Sequence, residues 1–260
     1  KGSSMRSFTR HFAGLLLALS IVGCASTSQT LAPSGKLRVG MYPGSPTSII
    51  PGATAADNRG VGYDLGQQLA KKMDLKFEPV VFQKNADVLA AVKGGQVDVT
   101  FTNATESRKK DMDFSATFLR VEQGYLVGPG SRIKAMEDID KPGIKVGVSS
   151  GSTSEAVLGK QFKNAKLVKA NSLKQAEAML KTKDIDAFPT NKAILNELSD
   201  QVPGSLVLKG AWGYENFAIG IPKGRESAIP LLNDFISQAK SNGQIDAAVK
   251  RSGLRGVAPN

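Results

Sequence analysis

The chain has 260 residues, 41% hydrophobic and 22% charged, the composition of an ordinary folded protein with one large domain or two lobes. Its one His and one Cys, His11 and Cys24, lie in the first 24 positions, so Ser-His and Cys-His nucleophile pairs, Cys/His metal sites and an intrachain disulfide are excluded from the rest. The net charge of +11 falls to +8 once Lys1, Arg6 and Arg10 are set aside, and the remaining Lys residues scatter over polar faces without interleaved aromatics, which reads as a solvated basic surface and not a nucleic-acid partner site.

In chain order, Lys1 to Ser4 read as a tag remnant ahead of Met5. Arg6 and Arg10 then precede an apolar stretch over 12–22, too short to span a bilayer of about 20 residues, so residues 1–23 are expected to be the tag remnant and a lipoprotein export signal. Ile21-Val22-Gly23-Cys24 resembles a bacterial lipobox, in which the Cys is lipidated and becomes the new N-terminus; an incidental Cys in an ordinary cleaved signal is the alternative. On the first reading Cys24 is a lipid anchor holding the protein at the membrane, in the periplasm or at the outer cell surface, and residues 24–35, rich in Ser, Thr and Ala, are a flexible tether.

Beyond the tether, alternation predicts a strand over 36–42, and Leu65, Leu69 and Met73 predict a helix over 61–73. A strand over 77–82, a helix core over 88–92 ended by Gly94-Gly95, and a strand over 97–102 follow. A second series is expected at 144–148 (strand), 155–162 (helix), 167–169 (strand), 173–180 (helix), 185–188 (strand) and 193–198 (helix), then a strand over 217–221 and a long helix carrying Ile229, Leu232, Phe235, Ile236 and Ala239 on one face. Repeated strand-helix-strand units predict parallel sheets covered by helices, and two short runs predict two α/β lobes.

The order Gly62-Tyr63-Asp64-Leu65, Leu89 to Gly95 with Val97-Asp98, Arg108 with Asp113-Phe114-Ser115, Val146-Gly147-Val148, Ser150-Gly151-Ser152-Thr153, Ile185-Asp186-Ala187, and Ala218 to Ile221 ahead of Lys223-Gly224 resembles the bacterial extracellular solute-binding proteins of family 3. These are the polar amino-acid receptors of ABC importers. The resemblance implies the two-lobed periplasmic-binding-protein fold of type II, α/β, each lobe a mostly parallel sheet flanked by helices with the ligand cleft between them. It implies a hinge that closes on the ligand, an ABC permease as membrane partner, a monomer, and no cofactor or metal. Lobe 1 is expected to be discontinuous, 36–126 and 216–260, with lobe 2 at 127–215 and strand crossovers near 124–130 and 212–218.

Thr105 and Arg108 stand three apart at the turn after the strand ending at Thr102, a spacing that places hydroxyl and guanidinium on one side. Arg offers a planar bidentate fork for a carboxylate. The resemblance gives this Thr-x-x-Arg the ligand's α-carboxylate; the alternative is a surface Arg paired with Glu106 or Asp111. Ser150, Ser152 and Thr153 open a helix, where hydroxyls cap free backbone donors, and the resemblance has them grip the same carboxylate from the other lobe. Tyr42 ends the first strand, either against the ligand or in the core. Ser45, Pro46 and Asn85 stand near positions that are commonly aromatic in the family, so the pocket is expected to be polar.

Asn191 occupies the position, five after Asp186, at which the family places a carboxylate for the α-ammonium. An amide oxygen accepts a hydrogen bond but carries no charge, so the preference for a zwitterion weakens unless Glu122, Glu215 or another acid takes the ammonium. Thr102, Asn103 and Ala104 also replace a Ser/Gly-rich run two residues longer. The expected ligand is therefore a polar, carboxylate-bearing small molecule such as an amino acid or derivative. Two alternatives are a dehydratase-like enzyme on the same fold, for which Asp64, Asp87, Glu106 and Glu122 are candidate acids, and a ligand sensor without transport.

Overall fold

The computed structural model describes residues 27–258, so the expected export signal and Cys24, the expected lipid anchor, lie outside the described residues. The elements run α1 (Thr27–Leu31), β1 (Lys36–Met41), α2 (Val61–Lys72), β2 (Lys76–Val81), α3 (Asn85–Lys93), β3 (Val99–Asn103), β4 (Met112–Phe114), β5 (Leu119–Val127), β6 (Lys145–Ser149), α4 (Thr153–Gln161), β7 (Lys166–Ala170), α5 (Leu173–Lys181), β8 (Ala187–Asn191), α6 (Lys192–Gln201), β9 (Leu206–Val207), β10 (Gly213–Pro222), α7 (Ile229–Ser241) and α8 (Gln244–Ser252).

Local pattern explains most of these elements. In β1 the side chains of Leu37, Val39 and Met41 are at most 1% exposed and occupy every second position, the period of a strand. In α2, Val61, Leu65 and Leu69 form one buried face, while Lys71 and Lys72 close the helix, where positive charge meets the free carbonyls. α4, α5 and α6 begin at Ser152, Ser172 and Asn191, whose side chains accept from the backbone N–H three residues on.

The strand order β2-β1-β3-β10-β5-β8-β6-β7 contains the same arrangement twice. In the first half β1 lies between β2 and β3, parallel to both; in the second β6 lies between β7 and β8, parallel to both. Each half is thus a strand-helix-strand-helix-strand unit with helices on its faces, and the molecule has the two-lobed α/β architecture of the type II binding fold.

Two antiparallel strands join the lobes. The start of β10 pairs with β5 and its later residues with β3, and β5 passes from β10 to β8 at Gln123, which faces both Gly213 and Asn191. The first crossing is therefore a continuous strand, Leu119–Val127, and the change of partner falls at Gln123, just ahead of the expected 124–130. Trp212 sits at the mouth of β10, its indole Nε1 donating to the Gly124 carbonyl at 3.0 Å and its ring 6.2 Å from that of Tyr125.

One core gathers Leu37, Val39, Leu65 and Leu69 with Leu232, Phe235, Ile236 and Ile245 from the end of the chain. Others lie in the second half, around Leu126, Leu180, Phe188 and Leu195 and around Val146, Ile139 and Leu158. The expected tether departs from expectation over its second half: Leu31 and Ala32 belong to the first core, and Arg225 donates to the Leu31 carbonyl and to buried Asp98 at once. Leu31 is the apolar group in that Ser/Thr-rich segment that makes docking favourable.

α6 fastens the second lobe to the first outside the cleft. Lys192 pairs with Glu122, Glu197 with Arg59 at 3.0 Å and Asp200 with Arg255 at 2.5 Å.

Candidate ligand-binding cleft

Between the lobes, the ends of β1, β3, β6 and β8 converge, as parallel strands in α/β sheets do where ligands bind. After β3 the chain turns, and the Arg108 amide donates to Thr105 Oγ1 at 3.3 Å, which fixes the turn. The Arg108 guanidinium folds back over the strand end. Its Nη1 donates to Thr102 Oγ1 at 2.8 Å and to the Asn103 carbonyl at 3.0 Å, and its Nη2 crosses to the Gly151 carbonyl of the other lobe at 3.2 Å. Of the five N–H donors of a guanidinium, Nε and one Nη2 proton have no partner among the described residues. Burial pulls the Arg108 pKa below its ordinary value, with Glu215 and Tyr42 opposing that shift, and the side chain stays cationic at neutral pH.

Gly151 is the meeting point of the lobes. Its carbonyl also accepts from Asn85 Nδ2 at 3.1 Å, and its φ of +74° lies in the left-handed region that favours glycine. A Cβ there would approach the Cα and Cβ of Ala86 to 3.0 Å. Beside it Asn103 binds in two directions: Nδ2 donates to Thr153 Oγ1 across the cleft at 3.0 Å, and Oδ1 accepts from the Asn216 amide of β10 at 2.8 Å. Ser152 Oγ accepts from the Glu155 amide at 3.0 Å, while Glu155 accepts from the Gly151 amide at 2.7 Å, so the cap holds the carbonyl that Arg108 and Asn85 grip.

At the other end of the cleft lies Glu215, 7% exposed, on β10. Its two oxygens accept from Gln123 Nε2 at 3.2 Å and from Asn191 Nδ2 at 2.9 Å. Asn191 Oδ1 meanwhile accepts from the Ile194 amide at 3.1 Å as the cap of α6. Burial pushes the Glu215 carboxyl above its ordinary value, with Arg108 and the two amides opposing. Tyr42 shares this environment: burial, then the Glu215 charge, push its phenol up to about 12, so it is a neutral donor and acceptor facing the cleft.

Tyr42, Asn85, Thr102, Asn103, Arg108, Ser150, Ser152, Thr153 and Asn191 are brought together around this cleft. Thr105 is not: its hydroxyl is spent on the Arg108 amide and on Ser107, and it lines a neighbouring groove between α3 and α4. The spacing from Thr105 to Arg108 sets the turn, and the guanidinium then swings towards Thr102. Gln83, Lys84, Asn171, Ser172 and Leu173 also line the cleft.

From sequence Glu215 is only one of several possible acids for an ammonium. The signal was its place in the inward series Glu215, Phe217, Ile219, Ile221 of one strand, an acid where the other members are apolar and buried. The other candidate acids are engaged elsewhere: Asp64 with Arg251, Glu106 with Lys109 and Glu122 with Lys192, while Asp87 is exposed on α3. Among the described residues no cluster of His, Cys, Asp and Glu is arranged to hold a metal, and no helix is long and apolar enough to cross a membrane.

The pattern of the bacterial extracellular solute-binding proteins, family 3, matches residues 37–253, and the chain belongs to that family. It is 27% identical over 205 residues to the ABC transporter glutamine-binding protein GlnH of Bacillus subtilis, covering 76% of this chain and 74% of that protein. Among solved structures it is similar to an ancestral arginine-binding protein bound to glutamine (28% identity, TM-score 0.75, 84% of this chain and 97% of that one). It is also similar to the ancestral amino acid-binding protein AncCDT-1, a precursor of cyclohexadienyl dehydratase (25% identity, TM-score 0.75, 87% of this chain and 99% of that one).

Proposed function

We propose that this family 3 binding protein is the capture component of an ABC importer. It takes a small carboxylate-bearing solute, an amino acid or a derivative, into the cleft, closes on it and presents it to a membrane permease. The observation that carries the reading is Arg108: a half-buried guanidinium reaches across to the Gly151 carbonyl of the second lobe while keeping donors on Nε and Nη2 for a ligand. A carboxylate arriving there is held by charge-assisted hydrogen bonds, with the Ser150, Ser152 and Thr153 side chains and the start of α4 on the facing lobe. Because both lobes contribute, binding favours the closed form over the open one.

The relatives' names support an amino acid as the class of solute. In this reading lobe 1 comprises 36–126 and 216–260, lobe 2 comprises 127–215, Cys24 carries the lipid that keeps a monomer at the membrane, and Tyr42, Asn85, Thr102 and Asn103 complete the polar wall. The test is small-molecule mass spectrometry of compounds released from gently purified protein, followed by thermal shift with those compounds. Release of a carboxylate that raises the melting temperature supports the reading; a released compound without a carboxylate, or chemical turnover of the bound compound, overturns it. A dehydratase-like second reading draws on Glu215, whose raised pKa suits a general acid, and the turnover measurement decides against or for it.

A further inference from the structure

Three charged side chains line the cleft, Lys84, Arg108 and Glu215. The last two are fixed by hydrogen bonds. Lys84 differs: it is half-buried, and among the described residues its ammonium has no hydrogen bond and no ion pair. Asp87, the acid three residues on, is exposed and does not pair with it. Lys84 also stands where local structure disfavours it. It is the N-cap of α3, with extended backbone (φ −124°, ψ 144°) and no side-chain cap bond, at a place where Ser, Thr, Asp and Asn satisfy free amides of the first turn. A cation there meets the positive end of the helix dipole. A residue that breaks local rules at the edge of a cleft is one whose reason lies in the cleft.

The surroundings of Lys84 are polar and unspent. Asn85 Nδ2 reaches the Gly151 carbonyl that Arg108 also holds, so Lys84 stands one residue from that bridge. Ser150 precedes Gly151, and its amide donates to the Ala170 carbonyl at 3.3 Å, which brings Asn171 alongside. The side chains of Gln83, Ser150 and Asn171 line the cleft with Lys84 and, like it, make no hydrogen bond among the described residues. Charge balance points the same way. With Glu215 ionised, the lining carries a net charge of +1, matched by a ligand with two anionic groups and one cationic; with Glu215 protonated it carries +2, matched by two anionic groups alone. Either state calls for two anions, and Arg108 takes one. A charge enclosed without its opposite is costly.

We propose that Lys84 recognises a second anionic group of the ligand, with Gln83, Ser150 and Asn171 as neutral donors beside it, so that the cleft selects dicarboxylates such as acidic amino acids over their side-chain amides and over neutral or basic amino acids. The proposal rests on the reading of Arg108 as the site of the first carboxylate.

The test is titration calorimetry with the standard L-amino acids, with succinate and glutarate, and with the mono-amides of those two, on the wild type, Lys84→Met, Lys84→Arg and Lys84→Ser. The wild type is expected to bind an acid about 10- to 100-fold more tightly than its amide, the range of a hydrogen bond to a charged group. Lys84→Met is expected to bring that ratio close to unity, and Lys84→Arg, which keeps the charge, to retain a preference for the acid. Lys84→Ser separates binding from folding: as a better cap it is expected to raise the melting temperature of the ligand-free protein by about 2–4 °C while losing the preference. A ligand-free Lys84→Ser protein that melts below the wild type, or a Lys84→Met protein that keeps the wild-type ratio, overturns the assignment of Lys84. A wild type that prefers a neutral or basic amino acid, or binds an amide as tightly as its acid, overturns it too and leaves the carboxylate site at Arg108 standing. Failure of the wild type to bind any of these carboxylates overturns that site and this proposal together.

Discussion

The two charged ends of the cleft are built in opposite ways. Arg108 is a cation held by neutral acceptors, and one of them, the Gly151 carbonyl, belongs to the other lobe. Glu215 is an anion held by neutral donors on the strands that join the lobes, β5 with Gln123 and the end of β8 with Asn191. The cationic group therefore draws on both lobes, whereas the anionic one sits among the strands that join them. In the proposed function, that difference couples affinity to closure through Arg108. Among the described residues neither charge meets its opposite in direct contact.

Arg108→Ala is the severest challenge to this comparison. It removes a half-buried charge and three hydrogen bonds, one across the cleft, and is expected to weaken binding by about 100-fold or more, enough to erase the ligand-induced melting shift. An unchanged shift would show that the cationic end does not hold the ligand. Gly151→Ala tests closure without touching a charge. The positive φ and the approach to Ala86 penalise a side chain only where the lobes meet, so affinity is expected to fall about 10-fold and small-angle scattering to show a more open average shape.

Asn191→Ala strikes the other end. It removes the cap of α6 and one donor to Glu215, and the cap alone corresponds to about 1 kcal/mol, or a fall of roughly 2–4 °C in melting temperature by calorimetry. The ends also differ in pH response. Because the folded pKa of Glu215 is raised above its ordinary 4.5, the folded chain holds this proton more tightly than the unfolded chain does. The stability it contributes is fully present below that ordinary value and is lost as pH rises through the raised one. Glu215→Gln should flatten that part of the stability profile, while Arg108 stays cationic throughout. The smallest effect is expected from Asp200→Ala, whose partner Arg255 is about half exposed; stability should change by less than about 1 kcal/mol.

Periodicity made the paired strand-helix units legible, because Leu37, Val39 and Met41, or Val61, Leu65 and Leu69, carry one period over a whole element. Periodicity does not mark β5 as a strand, and only the family resemblance places a crossing near 124–130: Glu122, Gln123 and Gly124 interrupt its apolar pattern, since these positions sit at the crossing, where both neighbours are strands and polar groups are matched by Lys192, Glu215 and the Trp212 indole. Within the site, Arg108 and the hydroxyls of the second lobe could be read locally. Thr105 misled because a three-residue spacing says which groups share a turn, not where a long side chain folds back. The relation between Asn191 and Glu215 joins residues 24 apart in sequence, on separate strands, and no local pattern carries such a pairing.

Trp212 is the chain's single tryptophan, and its indole is tied to Gly124 on the neighbouring crossing strand. Any bending of one crossing against the other alters the polarity around that ring and its hydrogen bond. The protein thus carries its own optical gauge at the hinge, and its emission can be followed through a titration without adding a dye or changing a residue.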